Sequence, residues 1–218
     1  GAGKTTLLYT LAGLERPESG TVEFEGRRLY TGSASSQAQV RNRKMGFVFQ
    51  GYFLLPELTA LENVMVGAHL RLDRNLFKGA LRLPGIARRD ALLRAEAAEL
   101  MRLVGLEAFI DAHADAMPYG ALKRLEIARA LAAKPRVLFL DEPAAGLNPT
   151  ETSEVDSLIR KVADSGVTVV LVEHDMKMVM NISDQILVLD YGRKLAEGTA
   201  AEVRRNPDVI AAYLGTHQ

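Results

Sequence analysis

The feature of this sequence that most constrains its fold is an alternation of helical patterns and short apolar runs in the second half. The order is helix 121–133, strand 137–141, helix 149–164, strand 167–172, helix 175–181 and strand 185–189. Since parallel strands need a crossover connection, usually a helix, this order indicates βα units. The strands are continuously apolar, as strands buried on both faces are. We therefore expect an α/β fold with a parallel sheet between helical layers.

The first half of the chain is less regular. Apolar residues at helical spacing follow Lys4, and Gly13 and Pro17 end that predicted helix. Residues 20–29 alternate apolar and charged side chains, which predicts a half-exposed strand with a turn at Gly26. The remaining segments are a loop-like stretch at 31–39, a buried strand at 45–50 and a mainly helical region at 57–116.

Two later segments carry helix-start signals. Asn148 precedes Pro149 and a first-turn glutamate, Glu151, which is typical of an N-cap followed by a proline at the first helical position. Thr199 and Glu202 fit a capping box. Both signals predict where helices begin.

Composition excludes several classes of protein. Lys plus Arg and Asp plus Glu both number 27, so the chain lacks the basic excess of proteins that coat nucleic acid. It contains no cysteine, which excludes disulfides and thiolate metal sites. No apolar run reaches the ~18 residues that cross a bilayer.

The first candidate site is Gly3-Lys4-Thr5, directly before the first predicted helix. These residues fill the last three places of a phosphate-binding loop, in which backbone N–H groups at a helix start face the phosphates. Lys4 would place its charge on the β and γ phosphates, and the Thr5 hydroxyl would bind Mg²⁺. The alternative is a glycine-rich turn before a helix.

The second candidate is the acidic pair Asp141-Glu142, which ends the apolar strand 137–141. Ligands of open α/β sheets bind at the carboxyl ends of the strands. Asp141 would hold Mg²⁺, usually through water, and Glu142 would polarise the attacking water. The alternative is an acidic strand end before a turn at Pro143.

Two further polar residues follow buried strands. His174 comes after the strand 167–172, and Gln50 closes the strand at 45–50. The predicted topology brings His174 to the same sheet edge as Asp141, where it could contact a γ-phosphate oxygen or the attacking water. Gln50 could sense the metal and that water. A structural histidine and an unremarkable strand-end glutamine remain the alternatives.

The order of these motifs resembles the ATP-hydrolysing subunits of ABC transporters. The resemblance is carried by G-K-T-T, the strand ending in Gln50, "PYGALKRLEIARAL", "LFLDEPAAGLNP" and "LVEHD", and it spans nearly the whole chain. It implies a P-loop NTPase core with a mostly parallel sheet, an α-helical subdomain and a small N-terminal antiparallel β part. The core would comprise 1–50 and 134–218, and the helical subdomain about 51–133.

The resemblance also implies a role for each matching residue. Glu142 is the general base, with His174 and Gln50 as further catalytic groups. The metal ligands implied for Mg²⁺ are Thr5, Gln50 and Asp141. The residues implied to bind ATP are Gly1, Ala2, Gly3, Lys4, Thr5 and Thr6, together with Gly120 and Asn148, which would act on the nucleotide of a second subunit.

One segment departs from the family pattern L-S-G-G-Q. Met117-Pro118-Tyr119-Gly120-Ala121 stands there, so only Gly120 matches. Pro118 replaces a serine that would bind the opposite subunit's γ-phosphate, and Ala121 replaces a glutamine. We expect altered contacts between subunits, since Gly120 and the following helix start can still present N–H groups. A non-functional ATPase is the alternative that these two residues suggest.

Within the family, "DEPAAGLNP", "EHDM" and the ending "EGTAAEVRRNPDVIAAYLG" are similar to the importers of branched-chain amino acids. ATPases of lipopolysaccharide export share parts of this ending and stay an alternative, as do non-transport ABC ATPases. Only the end of the Walker A motif is present, so we expect an N-terminally truncated chain. We further expect this segment alone to bind ATP poorly.

The resemblance implies several partners. These are transmembrane permease subunits, a second ATPase subunit and, indirectly, an external binding protein, with the chain at the inner face of the plasma membrane. The surface after Gln50 is the expected docking side. It includes a basic stretch at 71–94, for which a solvated helix face is the alternative.

Overall fold

The structure, a computed structural model, describes residues 3–51, 53–69 and 84–214. Helix α1 spans Lys4–Leu11, and a short antiparallel hairpin follows, with strands β1 at Glu23–Phe24 and β2 at Arg27–Arg28. The hairpin confirms the predicted turn at Gly26, which has a φ of 73°. Helix α2, Ala34–Lys44, leads into strand β3, Met45–Val48.

Three helices separate β3 from the next strand in the described part of the chain. They are α3 at Ala60–His69, α4 at Pro84–Leu103 and α5 at Tyr119–Leu131. Helices α3 and α5 approach closely at Gly67, where an added Cβ atom would lie 2.0 Å from the carbonyl oxygen of Arg129. Any side chain at Gly67 would therefore force these two helices apart.

The second half follows the predicted alternation closely. Strand β4 spans Val137–Asp141, α6 spans Pro149–Asp164, β5 spans Thr168–Val172 and α7 spans Met176–Ile182. Strands β6 and β7 span Ile186–Asp190 and Arg193–Gly198, and they are followed by α8 at Ala200–Arg205, α9 at Pro207–Val209 and a π-helical turn at Ile210–Leu214. The capped helix starts at Asn148 and Thr199 are confirmed.

Strands β3, β4 and β5 form a parallel sheet in the order β3-β4-β5, with Val48 opposite Leu140 and Asp141 opposite Val172. Successive side chains of β4 face opposite helical layers. Leu138 and Leu140 pack with α3, α5 and α6, whereas Phe139 packs with α1 and stacks on Phe47. The expectation of a sheet buried on both faces is therefore confirmed for β3 and β4, whereas β5 is only partly buried.

Two expectations are wrong. Residues 31–39 are not a loop, because helix α2 starts at Ala34, capped by the Ser33 side chain, which accepts from the Ser36 N–H. Strand β6 does not extend the parallel sheet within the described residues, because it pairs antiparallel with β7 around a turn at Tyr191 and Gly192. This hairpin buries its own apolar cluster against α8 and α9.

No helix in the described ranges is long and apolar enough to cross a membrane.

Candidate functional site

The start of α1 lies at the carboxyl edge of the parallel sheet. Gly3 precedes the helix with a φ of 75°, a left-handed conformation that glycine adopts without steric cost. No side chain in the described part of the chain caps this helix start, and backbone N–H groups at such a start favour an anion. Lys4, the first helical residue, donates from Nζ to the carbonyl oxygen of Glu173 at 3.3 Å. Lys4 thus lies beside the end of β5.

Thr5 and Asp141 meet although 136 residues separate them. The Thr5 hydroxyl donates to Oδ1 of Asp141 at 3.2 Å, and Asp141 is 2% exposed at the end of β4. The Tyr9 hydroxyl, one turn further along α1, lies close enough to Asp141 to interact with its charge. Burial raises the pKa of Tyr9, and the charge of Asp141 raises it further. A hydroxyl and a carboxylate side by side are oxygen donors of the type that Mg²⁺ prefers.

Glu142 carries polar partners on both oxygens. Gln50 donates from Nε2 to Oε2 at 3.0 Å, and Nδ1 of His174 lies 3.7 Å from Oε1. The Glu142 N–H donates to the carbonyl oxygen of Val172 at 2.9 Å, so its backbone continues the pairing of β4 with β5. Its φ is 50°, a conformation that costs a non-glycine residue about 1–3 kcal/mol. Gln50, Glu142 and His174 thus meet at one place.

Glu173 is a site residue that the sequence analysis missed. Its Oε1 accepts the N–H of Ala144 at 2.9 Å, and its Oε2 accepts the N–H of His174 at 3.2 Å. Burial raises the pKa of Glu173, and these two backbone hydrogen bonds oppose that effect. The carboxylate therefore ties the turn after Glu142 to the segment that carries His174. The sequence does contain a signal that could have identified Glu173, because this carboxylate directly follows an apolar strand and directly precedes His174.

The segment around Gly120 packs against the start of α6 in the same chain. The Tyr119 hydroxyl donates to the carbonyl oxygen of Ala145 at 3.1 Å. Gly120 is buried, and an added Cβ atom would lie 2.6 Å from Oε1 of Glu151. The Asn148 side chain accepts from the N–H groups of Thr150 and Glu151, both at 3.0 Å, as the N-cap of α6. The role proposed for Gly120 and Asn148 toward a second subunit stays a prediction.

For the other residues that the sequence predicted, the described part of the structure shows fewer contacts or none that bear on the site. Thr6 is exposed on α1. Gly1, Ala2 and the basic residues between 71 and 83 lie outside the described residues. Arg88, Arg89 and Arg94 are exposed on α4. A cavity of about 330 Å³ between α3, α4 and α5, lined in part by Ala97, Leu100 and Leu131, contains none of the predicted site residues.

The described residues do not form a metal centre by themselves. No group of three or more His, Cys, Asp or Glu side chains in that part of the chain is arranged to hold an ion. A metal ion at Thr5 and Asp141 would therefore need further oxygen ligands from a bound substrate or from water.

The parallel sheet, with a Gly-Lys-Thr helix start beside strand-end carboxylates, defines a protein of the P-loop NTPase class. Residues 1–145 match the sequence profile of the family described as ABC transporter. Residues 193–218 match that of the branched-chain amino acid ATP-binding cassette transporter. The chain belongs to the ABC transporter family, as its motifs predicted.

Individual relatives support the same family assignment. The high-affinity branched-chain amino acid transport ATP-binding protein BraF of Pseudomonas aeruginosa is 41% identical over 99% of this chain and 84% of that protein. LivG of Salmonella typhimurium, which has the same description, is 44% identical with the same coverage. A solved dimeric structure of the ATP-binding cassette MJ0796 in a post-hydrolysis state, bound to ADP and phosphate, has a TM-score of 0.74 and 29% identity, covering 91% of this chain and 81% of that one.

Membership of this family makes the chain an ATP-binding subunit that couples ATP hydrolysis to transport. The assignment of this nucleotide to the sheet edge near Lys4, Asp141, Glu142 and His174 stays a prediction.

Proposed function

We propose that this chain powers an importer of branched-chain amino acids, working with transmembrane permease subunits at the inner face of the membrane. The proposed cargo rests on the 41% and 44% identity to BraF and LivG over nearly the whole chain, and on the match at 193–218. A periplasmic or extracellular binding protein would deliver the cargo to the permease.

The observation that supports the catalytic part of the proposal most is the paired contact of Glu142 with Gln50 and His174. A general base must be oriented toward the water from which it takes a proton. Gln50 donates a hydrogen bond to the Glu142 carboxylate from one strand end, and His174 lies 3.7 Å from its other oxygen at a second strand end. Glu142 then takes the proton of the attacking water, and His174 lies where it can contact the water or the γ-phosphate.

Lys4 and Thr5 serve the phosphates. The Nζ atom of Lys4 is held near the sheet edge by one hydrogen bond to a carbonyl oxygen, so its positive charge remains available for the β and γ phosphates. Thr5 and Asp141 would hold Mg²⁺, with the amide oxygen of Gln50 as a further ligand. Their 3.2 Å contact brings two oxygen donors to one place, which fits this ion. When bound, Mg²⁺ neutralises charge on the phosphates during phosphoryl transfer.

The chain would act as one half of a pair of ATPase subunits. The dimeric cassette with ADP and phosphate supports this arrangement for a chain of this fold. In such a pair, Gly120 at the start of α5 and Asn148 at the start of α6 would face the nucleotide held by the other subunit. Their side-by-side position in one chain is consistent with a shared surface.

The test is reconstitution of the assembled transporter in lipid vesicles. ATP-dependent uptake of radiolabelled leucine, isoleucine or valine is expected, and it should disappear with the Glu142→Gln variant. ATP hydrolysis without uptake of any of the three would contradict the cargo. Co-purification with lipopolysaccharide-export proteins or ribosomes, in place of a permease, would contradict the importer.

A further inference from the structure

Two buried charged residues on α5 have no part in the mechanism above. Lys123 is 1% exposed and Glu126 is 6% exposed. They lie three residues apart, so they share one side of the helix. Buried charges of this kind are rarely a gain in stability, because removing them from water costs as much as their attraction returns. Their position therefore calls for another explanation.

Both side chains hold the backbone around Gln50. Lys123 donates from Nζ to the carbonyl oxygen of Gln50 at 3.0 Å and to that of Phe49 at 3.5 Å. Oε1 of Glu126 accepts the N–H of Phe53 at 3.0 Å. Arg129, one turn further along α5, donates to the carbonyl oxygen of Phe53. One side of α5 thus fixes both ends of the segment that follows β3.

The pair is arranged for the backbone more than for mutual attraction. The Nζ atom of Lys123 is 3.8 Å from Oε2 of Glu126, which is farther than from the Gln50 carbonyl oxygen. Oε2 of Glu126 is buried and has no hydrogen-bond partner among the described residues. Both residues therefore make hydrogen bonds to the segment carrying Gln50, whereas the distance between them is longer than a hydrogen bond.

We propose that Lys123, supported by Glu126, is a positioning residue that holds the backbone of Gln50 so that its amide reaches Glu142. A continuous polar connection then runs from α5 through the Gln50 backbone and side chain to the Glu142 carboxylate. Helix α5 begins at Tyr119 and Gly120, so a shift of this helix is transmitted to Gln50. The inference rests on the proposed function, in which Glu142 is the general base.

The test compares Lys123→Met in the wild-type and Gln50→Ala backgrounds of the assembled transporter. Methionine has a similar length and removes the ammonium group, which carries both the hydrogen-bond donors and the charge. We expect kcat for ATP hydrolysis to fall about 10- to 100-fold in the wild-type background, as for a small misplacement of a reacting group, with the KM for ATP within about 2-fold. In the Gln50→Ala background the same substitution should change kcat by less than about 2-fold, because residues that act as a unit are not additive.

Two further variants keep the test decisive. Lys161→Met removes an exposed lysine on α6 and should leave kcat unchanged. Lys123→Met combined with Glu126→Gln removes both buried charges while keeping an acceptor for the Phe53 N–H, so it should fold if the single variant does not. If both variants fail to fold, the pair is purely structural and the proposal is wrong.

The remaining outcomes separate this inference from the proposed function. An inactive wild-type transporter would contradict both. An active wild type in which Lys123→Met has no effect on kcat, or an equal effect in both backgrounds, would overturn only the positioning role. A loss of kcat confined to the background that retains Gln50 would support it.

Discussion

The Nε2 atom of Gln50 donates a 3.0 Å hydrogen bond to Oε2 of Glu142, although 92 residues separate them in the sequence. The other carboxylate oxygen lies 3.7 Å from Nδ1 of His174. The carboxylate is thus oriented by groups that follow β3 and β5, the two strands on either side of β4. A group oriented in advance needs little reorganisation during the reaction, which is where much catalytic power arises.

Replacement of Glu142 tests its role as the base. Glu142→Gln keeps the size of the side chain and one acceptor oxygen, so we expect ATP binding to remain. Turnover should fall about 10²- to 10⁴-fold, the usual effect of losing a general base. Hydrolysis and nucleotide binding are measured on the assembled transporter, with Glu197→Gln, an exposed carboxylate on β7, as the control. Normal turnover in Glu142→Gln would show that another group is the base.

Thr5→Val tests the metal site, because valine has the shape of threonine without the hydroxyl. We expect the Mg²⁺ concentration for half-maximal hydrolysis to rise about 10- to 100-fold, since hydrogen bonds to charged groups contribute about 1.5–3 kcal/mol. Thr10→Val is a matched control, because the Thr10 hydroxyl bonds only the carbonyl oxygen of Thr6 among its described contacts. An unchanged Mg²⁺ requirement would argue against Thr5 as a ligand.

Glu173→Gln tests the carboxylate that joins the two catalytic segments. Glutamine offers one acceptor oxygen where Glu173 uses two, so the N–H of Ala144 or of His174 loses its partner. A buried donor left without a partner costs about 1–3 kcal/mol, and the free energy of unfolding should fall by that amount. Urea unfolding measures it, with the exposed Glu18→Gln as the control. Equal stability of the two variants would show that these hydrogen bonds contribute little.

The buried carboxyl of Glu126 predicts a pH dependence of stability. Burial raises its pKa above the ordinary value of 4.5, and the hydrogen bond from the Phe53 N–H acts in the opposite direction. The folded chain therefore keeps this proton to a higher pH than the unfolded chain does. The contribution of Glu126 is fully present below about 4.5 and is lost as the pH rises through the folded pKa.

The side chain introduced by Glu126→Gln cannot titrate, so the variant should not lose stability in this way as the pH rises. As the pH rises from 4.5 toward neutrality, the free energy of unfolding of the wild type should therefore fall relative to that of the variant. Denaturant unfolding at a series of pH values measures it. A difference that stays constant with pH would mean that the Glu126 carboxyl titrates alike in the folded and unfolded chains.

Much of the fold follows from the sequence because its strong signals are local. The apolar run ending at Asp141 and the cap at Asn148 fix β4 and α6 to within a residue of the predicted positions. Helix α2 was missed because it has no buried residue, so it carries no apolar periodicity. Strand β6 was placed in the wrong sheet, since an apolar run does not reveal its partner.

In the candidate site, too, local sequence signals were informative and contacts between distant segments were not predicted. The sequence indicated Asp141, Glu142 and His174 because each lies at or just after the end of an apolar strand. Tyr9 and Glu173 were missed because their contacts join segments far apart in the chain. Tyr9 reaches Asp141 from the same face of α1 as Thr5, a position that reads equally well as an ordinary core residue. Lys123 and Glu126 gave no signal in the sequence, because the packing of α5 against other segments buries them.

At Glu142, the left-handed backbone brings the proposed catalytic role of the side chain into conflict with the stability of the fold. Glycine or asparagine adopts a φ of 50° more readily than glutamate. Under the proposed mechanism, the residue that best suits the backbone there is thus one that cannot act as the base. A variant with glycine or asparagine at this position would then gain stability by losing its chemistry.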